Sequence, residues 1–167
     1  RDVRRRRLAQ EKLRGALERG ELVCFYQPQY EAQNLTISGA EALVRWECPD
    51  QGLLGPDVFL GPAAEMGLSS EIDDLVLKQA INDLKSWDDA GLHLPRISVN
   101  LSAQRVSDPM LGDHLSRLNI PRNRLAFELL ESTFLDSNDD VVTANLKIIR
   151  DLGISIEVDD FGTGHAS

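Results

Sequence analysis

Along the chain, stretches in which apolar side chains recur every three or four residues alternate with short apolar runs, the rhythm of helices separated by strands. Residues 2–19 are rich in Arg, Leu, Glu and Ala, contain no proline and carry a narrow apolar stripe of Leu13, Ala16 and Leu17 before Gly20, which predicts an entry helix. Large and aromatic residues over 22–29 and 37–46 predict two strands, and the connection through Asn34 is so short that they should run antiparallel. Pro28 cannot donate to a ladder, so the first strand should bend or leave the sheet there. Pro56 suits a first helical position and predicts a helix over 57–66, broken or kinked at Gly61-Pro62. Ile72, Val76, Ala80 and Leu84, flanked by Leu75 and Trp87, predict a longer helix capped by Ser69 or Ser70 and stopped at Gly91, with Trp87 in the core. The series continues with a strand over 96–101, a short helix over 108–118 and a strand over 125–130. A helix opened by Ser137 or Asn138 and carrying Val142, Leu146 and Ile149 then leads to a strand over 154–158.

From the second strand onward, strand and helix alternate, which predicts an α/β parallel sheet with crossover helices. A closed eight-stranded barrel of this type takes about 250 residues. The 167 residues supply five strands, so the strand bearing Glu41 should lie inside the sheet and that over 154–159 at an open edge. Composition agrees with one globular core, at 42% hydrophobic and 27% charged residues. A net charge of −9 argues against binding long nucleic acid, whose affinity comes mostly from phosphate neutralisation. A small anionic substrate would need local help from a divalent cation and a few placed arginines. No apolar run reaches the roughly 18 residues of a membrane span. Cys24 and Cys48 show no metal or disulfide spacing, which fits a reducing cytoplasm. Arg4-Arg5-Arg6-Arg7 reads as a solvated helix face.

The candidate chemistry sits at strand ends. In Glu41-Ala42-Leu43-Val44-Arg45, period-two alternation puts Glu41, Leu43 and Arg45 on one face. Asn100, Glu128 and the pair Asp159-Asp160 each close an apolar run, where parallel α/β architectures collect their functional groups. All are hard oxygen donors suited to magnesium, manganese or calcium. Adjacent aspartates let one carboxylate bridge two ions while its neighbour holds the second, an arrangement suited to phosphodiester displacement. Phe161-Gly162-Thr163-Gly164 reads as a loop able to close over a ligand or as a tight turn.

Tyr26-Gln27-Pro28, Glu41-Ala42-Leu43-Val44-Arg45-Trp46, Val99-Asn100-Leu101-Ser102, Glu128-Leu129-Leu130-Glu131-Ser132 and Asp159-Asp160-Phe161-Gly162-Thr163-Gly164 together resemble the EAL domain, in order and spacing. The resemblance implies a modified TIM (β/α)8 barrel with an antiparallel first strand, incomplete over this chain, and metal-dependent hydrolysis of cyclic di-GMP to linear pGpG. It implies that Glu41, Asn100, Glu128, Asp159 and Asp160 hold Mg2+ or Mn2+ in a two-metal site, with Glu41, Asp159 and Asp160 in the catalytic set. Gln27, Leu43 and Arg45 would contact the dinucleotide, Arg45 through a phosphate, and Glu131 would anchor the loop after Asp159-Asp160. Residues 1–19 are then an entry or linker helix, similar to the connector after a GGDEF domain, and 20–167 the EAL domain. A homodimer and a cytoplasmic location, with tethering through other regions, are compatible partners of this reading. Leu130, Met66, Cys48 and His165 depart from the family pattern. The family's lysine on the next strand and a later glutamate have no counterpart before Ser167, so this segment alone is expected to be inactive. The alternative is an EAL-like receptor or regulatory module that binds cyclic di-GMP without cleaving it.

Overall fold

In the computed structural model, which describes residues 2–131, 133 and 139–159, the chain enters through α1 (Asp2–Arg19). It continues through β1 (Leu22–Tyr30), β2 (Ile37–Cys48), β3 (Gly52–Leu54), α2 (Pro56–Glu65), α3 (Ser69–Asp89) and β4 (Ile97–Asn100). Then follow α4 (Ala103–Val106), α5 (Leu111–Ser116), β5 (Leu125–Leu130), α6 (Asp140–Asp151) and β6 (Ser155–Asp159). One sheet runs in the order β1-β2-β4-β5-β6, with β3 attached to β2. β1 and β2 are antiparallel, whereas β2–β4, β4–β5 and β5–β6 are parallel. This is the wall of a (β/α) barrel with a reversed first strand, as the short β1–β2 connection requires, and β2 lies inside it between β1 and β4. Among the described residues, β6 ends the sheet.

Burial follows the strand period. Ala42, Val44, Trp46 and Cys48 are buried, while Glu41, Leu43 and Arg45 are half-buried on the other face. Ile97 and Val99 of β4 and Leu125, Phe127 and Leu129 of β5 are buried in the same way. Against them packs the stripe of α3, Ile72, Val76, Leu77, Ala80 and Leu84, each of the four branched side chains contributing roughly 1.5–3 kcal/mol. Leu13 and Ala16 of α1 are also fully buried, so the C-terminal half of the entry helix is part of the core. A Cβ at Gly39 would come within 2.7 Å of the Arg96 carbonyl oxygen, so the close approach of β2 to β4 requires glycine there.

Several local expectations are corrected. β1 continues past Pro28 to Tyr30 without leaving the sheet, and a register shift follows only between Gln29 and Tyr30. The reason is orientation: Ala40, the partner of Pro28, sends its N–H to Arg96 O at 2.9 Å on the other side. The Pro28 nitrogen therefore faces away from β2, on the side where no strand among the described residues calls for a donor. α2 accommodates Pro62 within its length. Neither Ser69 nor Ser70 caps α3; the Gln104 amide does so from α4, accepting from Ser70 N and donating to Gly67 O, both at 3.1 Å. The short helix expected over 108–118 is present as α5, and a further turn of helix, α4, precedes it where Ser102 accepts from Arg105 N. Asp139 caps α6; the cap expected at Ser137 or Asn138 lies outside the described residues. A sixth strand, β3, joins the five expected; three residues are too short to show a period.

Candidate functional site

The site begins with how far each strand runs. β4 pairs with β2 only at Ala40 and Glu41, and the rest of that edge is taken by β3 at Trp46–Cys48. β2 therefore continues past its last pair with β4, and Leu43 and Arg45 lie beyond that pair. Gln27 lies opposite Glu41 across the β1–β2 ladder and Phe25 opposite Leu43. The Arg45 guanidinium rests 6.0 Å from the centre of the Phe25 ring and donates to Val44 O at 2.9 Å.

On the parallel side, register places Asn100 beside Glu128, Glu128 beside Glu157, and Leu130 beside Asp159. A cavity of about 300 Å³ opens at these strand ends, lined by Asn100, Glu128 and Asp159 and, from the helical side, by Asp73 and Ser102. Burial first, then a hydrogen bond with the Glu41 carboxyl and the charges of Glu41, Glu157 and Asp159, push the Glu128 carboxyl up to about 8. The structure thus brings Glu41, Asn100, Glu128 and Asp159 to one end of one face. Gln27, Leu43 and Arg45 lie on the adjoining β1–β2 wall, not in the cavity lining. Glu131 donates its backbone N–H to Asp159 O at 3.1 Å. Asp160 and the Phe161–Gly164 loop are outside the described residues.

Sequence reasoning missed two members of this region. Asp73 of α3 accepts the backbone N–H of Ser102 at 2.7 Å, and burial pushes its carboxyl up to about 6 against the lowering effect of the Ser102 hydrogen bonds. Glu157 accepts the Ser98 hydroxyl at 2.6 Å and faces Arg96 at 3.6 Å. Glu157 was open to detection by alternation, being two residues before Asp159; Asp73 carries no comparable signal.

Among the described residues, no three His, Cys, Asp or Glu side chains stand close enough together to enclose a metal ion. The carboxylates gather on one face without closing to coordinating distance. Their chemistry fits a hard divalent cation all the same: carboxylates crowded against their mutual repulsion, an amide oxygen from Asn100, and neither thiol nor imidazole in the described lining.

Fold and site together define a (β/α)-barrel domain with an acidic centre at its strand ends. The chain belongs to the EAL domain family, whose sequence model matches residues 10–167. It is 37% identical over 162 residues to the cyclic di-GMP phosphodiesterase NbdA of Pseudomonas aeruginosa, covering 95% of this chain and 21% of NbdA. It is 40% identical over 162 residues to the bifunctional diguanylate cyclase/cyclic di-GMP phosphodiesterase MucR of the same organism, covering 93% of this chain and 23% of MucR. The chain therefore spans under a quarter of these relatives. The structure of the MucR phosphodiesterase in complex with c-di-GMP aligns with a TM-score of 0.80 at 38% identity, over 96% of this chain and 66% of that one. The Xanthomonas citri FimX EAL domain in complex with c-diGMP aligns at 0.81 and 26% identity, over 98% and 64%. Among the described residues, no helix is long and apolar enough to cross a membrane.

Proposed function

We propose that this chain forms part of a cyclic di-GMP phosphodiesterase, which hydrolyses one phosphodiester bond of the cyclic dinucleotide to give linear pGpG. The supporting observation is the contact of Glu128 with Glu41 at the strand ends, beside Asn100 and Asp159, in a chain of the EAL family. Glu41, Asn100, Glu128 and Asp159 would hold one Mg2+ or Mn2+, and Asp159 with Asp160 a second. Bound there, such ions supply charge neutralisation at the phosphate and an activated water. Gln27, Leu43 and Arg45 form the wall along which the dinucleotide lies. Arg45 would exchange its bond to Val44 O for a phosphate oxygen, the charge-assisted pairing that guanidinium favours. Glu131 anchors the loop that follows Asp159. In this reading residues 1–19 lead into the domain over 20–167, an upstream GGDEF domain and a second copy of the chain are its protein partners, and it works in the cytoplasm.

The test is pGpG formation from cyclic di-GMP by the full-length protein with excess Mg2+ or Mn2+. Glu41→Ala should lower turnover about a hundredfold or more, the several kcal/mol expected of a lost ligand. Arg45→Ala should act mainly on KM and far less on turnover at saturating nucleotide. A folded protein that binds cyclic di-GMP yet forms no pGpG would decide for the receptor alternative.

A further inference from the structure

Glu157 occupies an unusual place. Asn100, Glu128 and Glu157 form one row across β4, β5 and β6, and side chains at matched register on neighbouring strands, about 4.8 Å apart, share a face. Glu157 is therefore as near to Glu128 as Asn100 is, and its charge is among those that act on the Glu128 carboxyl. Yet its oxygens are turned from the cavity: Oε1 accepts Ser98 Oγ at 2.6 Å and Oε2 faces Arg96 Nη2 at 3.6 Å. Ser98 lies in β4 two residues before Asn100 and Arg96 just precedes the strand, and none of Arg96, Ser98 and Glu157 lines the cavity. The bond spans an entire strand, because Ser98 is on β4 and Glu157 on β6. It passes over Ala126 of β5, the register partner of Ser98, and is possible because that residue is small and fully buried.

We propose that Glu157 is an electrostatic positioning residue of the cation site and not a ligand: a carboxylate held beside the ions by Ser98 and Arg96, which strengthens their binding without entering their coordination. This rests on the reading that Glu41, Asn100, Glu128 and Asp159 hold a divalent cation. Two opposite consequences follow. Glu157→Gln keeps an acceptor for Ser98 and removes a negative charge, so it should weaken binding. Arg96→Gln removes the positive charge that offsets Glu157, so it should tighten binding. A bracing role without electrostatics would make both variants weaker.

The experiment measures Mn2+ affinity of the full-length protein by the free-ion electron paramagnetic resonance signal, with circular dichroism confirming that each variant is folded. Glu157→Gln should raise Kd about three- to tenfold and Arg96→Gln should lower it by a similar factor, as expected for one charge at close range in a partly solvated site. Both effects should shrink as KCl rises from about 0.05 to 0.5 M. Two variants shifting in the same direction, or neither shifting, would overturn the proposal, as would a Glu157→Gln loss as complete as that of Glu41→Ala, which would make Glu157 a ligand. The underlying reading fails separately, and this inference with it, if the wild-type protein binds no Mn2+ or if Glu41→Ala leaves the affinity unchanged.

Discussion

Asp73 on α3 holds the backbone amide of Ser102, two residues beyond Asn100, at 2.7 Å. The preceding amide, Leu101 N, is held by Glu128 O at 2.9 Å, so the chain leaving Asn100 is fixed by a helix on one side and by the neighbouring strand on the other. Asp73→Ala leaves the Ser102 amide without its acceptor and should cost about 1–3 kcal/mol. Asp73→Asn retains an acceptor and should reveal a pH dependence. The folded-state carboxyl titrates at about 6 against an ordinary 3.8, so the folded protein binds the proton more tightly than the unfolded chain. The resulting stability is fully present below about 3.8 and lost as pH rises through 6. Relative to wild type, Asp73→Asn should therefore gain stability across that window, by about 3 kcal/mol at most. Urea unfolding of both proteins from acid to neutral pH checks the sign.

Glu128 carries a cost in the absence of cation. Glu128→Gln removes a carboxyl that burial, the Glu41 hydrogen bond and the charges of Glu41, Glu157 and Asp159 oblige to take up a proton at neutral pH, and without divalent ions it should stabilise the fold by about 1 kcal/mol there. Excess Mg2+ should reverse the order by stabilising the wild type alone. Thermal unfolding with chelator and with Mg2+ separates the two.

Arg105 is buried, with its guanidinium donating to Ser70 O at 3.1 Å and to Asp74 at 3.3 Å. Arg105→Ala should cost about 2 kcal/mol, less than for a fully buried pair because Asp74 is partly solvated. Arg105→Lys should recover only part of it, since an ammonium cannot reach both acceptors in a planar fork. Chemical denaturation with both variants is the measurement.

Leu13, fully buried on α1, makes the entry helix part of the core. Leu13→Ala should cost about 2–4 kcal/mol of unfolding free energy. A solvated linker helix would show almost no change, so denaturant midpoints decide between the two descriptions.

The readable part of this chain is what depends on local period. Alternation in β2 needs no knowledge of neighbours, so the shared face of Glu41, Leu43 and Arg45 was legible, as was the α3 stripe. The reversed β1 followed from the length of one connection. What was not legible depends on partners remote in sequence. Gln104 replaces Ser69 and Ser70 as the cap of α3 from 34 positions beyond Ser70, and Asp73 looks like any solvated helical aspartate until α4 is folded over it. Glu157 was missed although alternation from Asp159 puts it on the site's face, and its attachment to Ser98 spans 59 positions and depends on the small side chain of Ala126 between them. Pro28 misled for a related reason: its cost depends on which side of the strand its nitrogen faces, and that is set by the hydrogen bond of Ala40 to β4.

That orientation gives the sheet unequal ends. At β1, the outward-facing backbone lacks a donor at Pro28, and its register shifts between Gln29 and Tyr30, so a foreign strand laid there would meet a broken template. β6 contains no proline and keeps an unbroken register with β5, and Val158 stands half-exposed. Among the described residues the two outer strands therefore differ as templates: a neighbour pairing with β1 has to do without a donor at Pro28 and follow a shifted register, whereas one pairing with β6 meets an uninterrupted backbone.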